Sequence, residues 1–592
     1  MTPRFAPYPE VPVTGTPDLW CTYAAIRTLA WLGRIDRTPH ADASAGYLRS
    51  RRNSDGGYAW SKGMPSDAWA TFYCAAALTD LGEALPRPDK TAEWVRGTWS
   101  GSAYAMLPGQ APDVWATHFS TRTAIELCGG DVPDRGRLLA WLGDLQTADG
   151  GLSWTPEHAQ TGDADARACY YGVRAWRALD SRESAAPPWD VPKLVAWLRA
   201  QQVDGGGFRF GPHSPTPCLW ATYRAVGALA ILGSAPAEGC ADWIRERFDG
   251  TGFTRWEQYP VVDVWANFSA VGALRELGGV PGDLADAVVK SLAGMALPAG
   301  GFTYREPELA ADALRVSAAA LVAEPEHASL PDLRRWLEGC LLPNEGGLMY
   351  MPGRGAEIRC TLWGLSAGAF RDEPRARRTI GEWLARLQNP DGGFGYWHGR
   401  GSDLVSTASA VEIARLLDAG SVLDRAGLTA FVERCRKDAR GFEYGNVPGA
   451  EPTLRSGLHA ARIQAYLEDL EHLEDAEGLA DGGSSAARTD AVADLLNRHR
   501  VRGGGWANQG NRLPDLLSTY EAVVTADRLG VPVDRAAVAA FLTGTATPDG
   551  GSWSPLAPGG GDRLADCLHR LLRDRLEARE ARPFDLPALS LS

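Results

Sequence analysis

Residues 163–171 gather two acids, one base and two phenols: Asp163, Asp165, Arg167, Tyr170 and Tyr171. Two carboxyls this close resist ionising together, which raises the proton affinity of one of them. A neighbouring guanidinium does the opposite and offers a place for an anion. A second group is aromatic. Trp20, Trp69, Trp115, Trp220 and Trp265 occupy one slot of a recurring pattern, with Phe72, Tyr73, Phe119, Tyr223 and Phe268 just downstream. Desolvated π faces attract cations, so such a stripe can line a cavity in which positive charge develops. At helical spacing the same stripe also makes an ordinary core. In the second half of the chain the slot holds Arg359, Val405, Arg455, Leu517 and Leu564, so the two halves are not equivalent.

The elements that must position these residues repeat. Asp-x-Trp-[Ala/Ser/Cys]-[Thr/Asn] recurs every ~45–60 residues, a period that marks a stacked architecture. Full copies open at Asp18, Asp67, Asp113 and Asp263, and worn copies at Asp165, Cys218, Glu357, Asp403, Asp515 and Asp562. Segments near Asp312 and Thr453 fill the gaps. The acid suits a helix N-cap, and an Ala/Leu-rich helical run follows it. A second helix then ends in Asp-Gly-Gly and an apolar residue, as at Asp55–Tyr58, Asp149–Leu152 and Asp391–Phe394. About twelve such hairpins predict an all-α chain. Six hairpins close into an (α/α)6 toroid, so two toroids are expected, at 1–290 and 291–580, with the signature helices inside. An open superhelix is the alternative. The acidic, Gly/Ser-rich stretch 468–490 reads as an exposed excursion and 581–592 as a loose tail.

The 592 residues are 45% hydrophobic and 22% charged, with a net charge of −13, which argues against a nucleic-acid partner. Ten cysteines without CxxC spacing read as core residues of a reducing compartment. The N-terminus has no apolar signal region and no run is long enough to span a bilayer, so a cytoplasmic protein with at most peripheral membrane contact is expected. Nothing in the sequence specifies an oligomer. His118 and His459 read as core histidines, and no phosphate-binding Gly loop, GxSxG elbow or HExxH motif occurs.

Three QxxDGG turns, Gln146–Trp154, Gln201–Phe208 and Gln388–Phe394, resemble the QW-type repeat of squalene–hopene cyclases, oxidosqualene cyclases and class II diterpene cyclases. Protein prenyltransferase β subunits carry a looser form. Two contiguous six-hairpin barrels look like the βγ architecture of the class II cyclases. The resemblance implies acid-initiated cyclisation of a polyprenyl or prenyl diphosphate substrate in a hydrophobic cavity. It assigns the proton to the middle Asp of an Asp-x-Asp-Asp motif followed by Thr-Ala, which this chain lacks. The nearest partial copy is Asp163-Ala-Asp165-Ala-Arg167-Ala168; others are Asp403-Leu-Val-Ser-Thr407-Ala408 and Glu308-Leu-Ala-Ala-Asp312-Ala313. Asp165 opens a helix in its repeat and Asp163 is not explained by the repeat, so the expected donor is Asp165 with Asp163 raising its proton affinity. Asp403 and Asp312 are further catalytic candidates.

Asp163–Tyr171 also looks like the prenyltransferase pattern Glu/Asp-x-Asp-x-Arg-x-x-Tyr. This implies an isoprenoid-binding role for Arg167, Tyr170 and Tyr171, with Arg167 near a diphosphate. Trp69, Trp115, Trp220, Trp265 and Arg359 complete the expected substrate-binding set. Zinc-dependent prenylation is not expected. Trp265 stands in the Cys place of the Asp-x-Cys step, no His lies in Glu308–Ser317, and only Arg255 represents the basic cluster. No cofactor is expected, and Mg²⁺ would matter only with a diphosphate substrate. The alternatives are a non-catalytic isoprenoid- or partner-binding toroid, and an α/α-toroid carbohydrate enzyme using paired inner carboxylates.

Overall fold

Each copy of the signature opens a helix that is buried along most of its length. In the computed structural model these are α1 (Leu19–Trp31), α2 (Ala68–Asp80), α3 (Val114–Arg122), α4 (Ala166–Asp180), α5 (Leu219–Ile231) and α6 (Val264–Glu276). They continue as α7 (Ala313–Val322), α8 (Ile358–Ser366), α9 (Leu404–Leu417), α10 (Leu454–Glu474), α11 (Leu516–Leu529) and α12 (Arg563–Glu577). The residues described are 15–180, 186–212, 214, 216–257, 259, 261–342, 345–351, 355–398, 400–438, 442–474, 483–509, 513–548, 550–556, 562–577, 586–589 and 591.

Every letter of the signature has a structural task. The acid caps: Asp67 Oδ1 accepts from Ala70 N–H at 2.7 Å and Asp263 Oδ1 from Ala266 N–H at 2.7 Å. Where the acid is replaced, Cys218 Sγ does the same for Ala221 N–H at 3.4 Å. The terminal Thr or Asn braces the glycine turn. Thr71 Oγ1 accepts from Tyr58 N–H at 3.0 Å, Asn267 Oδ1 from Phe253 N–H at 3.0 Å, and Thr407 Oγ1 from Phe394 N–H at 3.0 Å. The turn needs glycine for two reasons. Gly56 sits at φ 98°, and a Cβ on Gly57 would lie 2.6 Å from Ser66 Cβ.

The chain divides into two units, Met1–Ala311 and Asp312–Ser592. In the first, α1 packs on α2, α2 on α3, and so on to α6, which packs back on α1. Closure is completed by the last turn of the unit. Phe302 N–H donates to Thr22 Oγ1 at 3.0 Å and Gly301 N–H to Ser44 Oγ at 3.0 Å. The unit therefore extends past the expected end at 290, because residues 300–304 belong to the turn that seals the ring. In the second unit α7 to α12 pack in the same cyclic order, with α12 against α7. Both rings are closed, not open superhelices. The outer partners, such as Pro88–Gly97 and Pro374–Leu387, bury one face only. Among the described residues α12 has no outer partner.

The stretch 468–490 is not a plain excursion. Its two ends belong to the helices Leu454–Glu474 and Gly483–His499, and residues 475–482 lie outside the described ones. The tail is corrected too. Leu586, Ala588, Leu589 and Leu591 are all buried, whereas residues 578–585 lie outside the description. All ten cysteines are free thiols, nine of them buried. No helix of the described residues is long and apolar enough to cross a membrane.

Candidate functional site

The inner helices share one register, so residues two and five past the cap face the ring axis. In the first unit these positions fill it. The Trp20 ring lies 4.9 Å from that of Trp69, 5.8 Å from Trp220 and 4.7 Å from Trp265. Trp69 and Trp115 are 4.1 Å apart. One turn deeper, six rings form a closed belt. It runs from Tyr23 to Phe72 at 5.9 Å, His118 at 5.9 Å, Tyr170 at 6.1 Å, Tyr223 at 5.3 Å, Phe268 at 5.3 Å and back to Tyr23 at 6.1 Å. Centroid separations of this size are direct aromatic contacts. Trp69, Trp115, Trp220 and Trp265, expected to bind substrate, are the packing of the first ring. Tyr170 and Tyr171 belong to it as well. Their hydroxyl-bearing neighbours are internal, with the Tyr170 and Tyr223 oxygens 2.7 Å apart and the Arg224 guanidinium over both Tyr170 and Tyr171.

Asp165 caps α4 and holds Arg167. Its Oδ1 accepts from Arg167 N–H at 2.7 Å and Nε–H at 3.0 Å, and its Oδ2 from Nη2–H at 2.7 Å. Both carboxylate oxygens are thus engaged by a cation in a bidentate ion pair, the arrangement of a held carboxylate and not of a proton donor. Arg167 takes the tryptophan slot, its guanidinium 4.4 Å from the Phe210 centroid and 5.3 Å from that of Trp154. Asp163 is half-buried in the loop before α4. Burial pushes the carboxyl of the Asp67 cap up to about 7.

The second unit is built differently at the same slots. Two past the cap stand Leu314, Arg359, Val405, Arg455, Leu517 and Leu564, and five past it Ser317, Leu362, Ala408, Leu458, Tyr520 and Cys567. With Tyr520 the one aromatic among these twelve, the aromatic plug is not repeated. Asp312 caps α7 through Arg315 N–H at 2.9 Å and is ion-paired with the Arg315 side chain. Asp403 caps α9 through Ser406 N–H at 2.7 Å and accepts from Ser406 Oγ at 3.0 Å. Burial nevertheless pushes Asp403 up to about 6. Arg359 donates to the Tyr396 hydroxyl at 2.6 Å and pairs with Glu357 at 3.3 Å.

Along α9, α10 and α11 lies a charged cluster, with His459 and Glu521 six past their caps and Glu412 and Arg462 nine past theirs. Glu521, fully buried, accepts from Arg462 Nη2 at 3.0 Å and Arg455 Nη2 at 3.4 Å, and it also abuts His459 Nε2. Burial works against its charge, but His459, Arg455 and Arg462 outweigh it and bring the carboxyl down to about 2. Burial and the two arginines lower the proton affinity of His459, despite Glu521. Glu412 on α9 is held near 2, with Arg528 and Arg415 outweighing burial. Its pair with Arg528 Nη2, at 2.8 Å, reaches from α9 to α11, which α10 separates in the ring order. Reading the tryptophan slot alone missed this cluster. Its sequence signal is charge at inward positions of the helices opened by Asp403, Thr453 and Asp515.

Two inner helices of this ring also hold residues of the chain's own C-terminal stretch, described at 586–589 and 591. Tyr520 OH donates to the Pro587 carbonyl at 2.8 Å, and Arg455 Nη2 donates to the Leu591 carbonyl at 2.6 Å. Tyr520 and Arg455 stand five and two residues past their caps, on axis-facing slots.

A family model described as the prenyltransferase alpha-alpha toroid domain matches residues 7–98, 65–186, 169–356, 354–482 and 479–567. The chain belongs to this family. Among curated proteins it is 25% identical over 215 residues to the protein farnesyltransferase subunit beta of Pyricularia oryzae, covering 32% of this chain. It is 29% identical over 229 residues to the drimenyl diphosphate synthase of Streptomyces showdoensis, covering 35% of this chain. In each case the match spans 40% of the relative's length. Among solved structures, ent-copalyl diphosphate synthase from Streptomyces platensis matches over 96% of this chain and 90% of its own, at 17% identity and a TM-score of 0.33.

Proposed function

We propose that the second ring holds an isoprenoid and that the chain is a class II-type terpene cyclase. It would start cyclisation of a polyprenyl or prenyl diphosphate substrate by protonation. The observation that carries this reading is the contrast between the two ring centres. The first is filled by its own aromatics, and the second accepts an apolar segment of chain beside buried guanidinium groups. Membership of the family supports it, as do relatives whose names refer to farnesyl and drimenyl diphosphate chemistry.

In this reading Asp403 replaces Asp165 as the proton donor. With its carboxyl near 6, about a tenth of molecules carry the proton at pH 7, enough for acid catalysis in a water-poor ring. Arg455 and Arg462 are placed to hold an anionic head by charge-assisted hydrogen bonds. Mg²⁺ would matter only as the counter-ion of a diphosphate. A second reading, a non-catalytic isoprenoid-binding toroid, is favoured by one observation: no slot two past a cap in the second ring carries a carboxyl. A carbohydrate acid/base pair gains no support, because Glu412 and Glu521 are both held ionised by arginines.

Incubation with C15, C20 and C30 prenyl substrates, followed by a search for isomeric products, tests the proposal. Product from the parent protein and none from Asp403→Asn is the expected result. Tight binding without product from any substrate selects the binding toroid, and neither binding nor product ends both readings.

A further inference from the structure

We propose that the segment Leu586–Leu591 is a displaceable occupant of the second ring, seated where the isoprenoid lies, so that segment and prenyl diphosphate exclude one another. This rests on reading the second ring as the isoprenoid chamber.

The segment is buried as deeply as the core. Leu586, Ala588, Leu589 and Leu591 are 2%, 3%, 0% and 2% exposed. Its two polar anchors come from inward slots, the Tyr520 hydroxyl on the Pro587 carbonyl and the Arg455 guanidinium on the Leu591 carbonyl. In the first ring the slots two and five past the cap are mostly aromatic and touch one another; in the second Tyr520 is the one aromatic at these slots, and it holds the segment's main chain. The segment presents leucine isobutyl groups, branched like the units of a prenyl chain, with a carbonyl oxygen on the arginine.

That mimicry is incomplete in one respect. A neutral carbonyl satisfies a single donor of Arg455. Arg462, 7% exposed, leaves Nη1 with no hydrogen-bond partner although it is buried beside the same Glu521. Arg455 Nε is in the same condition. A buried guanidinium with unused donors is costly, and an anionic group supplies a strong, charge-assisted acceptor for Arg462 Nη1 and Arg455 Nε, the donors that Glu521 does not reach. A prenyl diphosphate therefore matches the chamber better than the segment does. Its chain replaces the leucines, and its phosphate oxygens take the Leu591 carbonyl's place on Arg455 and reach Arg462.

If the segment is seated in nine molecules of ten, the apparent affinity for a competing ligand falls about tenfold. Titration calorimetry with farnesyl and geranylgeranyl diphosphate compares the whole chain, a variant ending at Asp585, and Leu589→Asp, which keeps the length but makes burial unfavourable. Both variants are expected to bind about tenfold tighter or more. The peptide Leu-Pro-Ala-Leu-Ser-Leu-Ser, added separately, is expected to weaken binding to the truncated protein.

Equal affinity in all three proteins overturns the proposal and leaves the isoprenoid reading standing. Absence of binding in all three overturns both. Hydrogen exchange on the whole chain decides the matter should the shortened proteins fail to fold. The amides of Leu589 and Leu591 should be protected without ligand and exchange freely once prenyl diphosphate saturates the protein. Unchanged protection with ligand bound overturns the proposal.

Discussion

Replacing Glu521 by Gln keeps the shape of the side chain and removes its charge, which isolates the electrostatic role of the second ring's centre. The carboxyl titrates near 2 instead of 4.5, because His459, Arg455 and Arg462 outweigh the burial that opposes ionisation. At about 1.4 kcal/mol per tenfold change in proton affinity, ionised Glu521 is favoured over its neutral form by about 3 kcal/mol. The group is fully buried, so little of this is lost to solvent screening. Glu521→Gln should therefore destabilise the unit Asp312–Ser592 by about 3 kcal/mol, the size expected when one member of a buried charge cluster is removed. For a unit of this size that lowers Tm by roughly 6–12 °C. Differential scanning calorimetry at pH 7 measures it. Adding Arg462→Met should recover part of the loss by removing one stranded cation. The sign with pH is fixed by the direction of the shift. A depressed carboxyl contributes its stability above 4.5 and loses it as pH falls toward 2. The gap between parent and variant should therefore close across that window. A Tm change under about 2 °C at pH 7, or a gap that persists at pH 2, would refute the reasoning.

Asp165→Asn should lower stability by about 1–3 kcal/mol through the lost cap and ion pair, while turnover of a prenyl substrate survives; loss of turnover with unchanged Tm would restore Asp165 to the chemistry. Trp20→Ala removes a ring that touches three other indoles, and chemical denaturation should show a cost of about 3–5 kcal/mol. Thr407→Val leaves the Phe394 N–H without its acceptor, and the same assay should register about 1–3 kcal/mol. Asp403 carries a raised carboxyl, so its contribution to stability is present below 3.8 and lost as pH rises through about 6. Asp403→Asn should flatten the stability–pH curve over that interval.

The repeat was legible because its parts act locally. An acid three residues before a helical N–H, and a Thr or Asn four past the cap, recur in the sequence wherever a cap and a turn brace are needed. What encloses space was not legible, because it depends on partners far apart in sequence. Thr22 meets Phe302 across 280 residues, and that contact places the unit boundary at 311 and not at 290. The tryptophan stripe reads equally as cavity wall or as core; only the convergence of Trp20 on Trp69, Trp220 and Trp265 decides for core. Asp165 and Arg167 satisfy each other, an outcome their two-residue spacing permits and does not require. Leu586–Leu591 resembles any apolar tail until Tyr520 and Arg455 are found holding it.

On the proposed function, ligand enters the second ring and the aromatics of the first exclude it. Photolabelling with a benzophenone-bearing prenyl diphosphate, followed by peptide mapping, distinguishes the two rings. Label on peptides from Leu454–Glu474 and Leu516–Leu529, competed by unlabelled prenyl diphosphate, is the predicted result. Competed label on the tryptophan helices Leu19–Trp31 or Val264–Glu276 would contradict it.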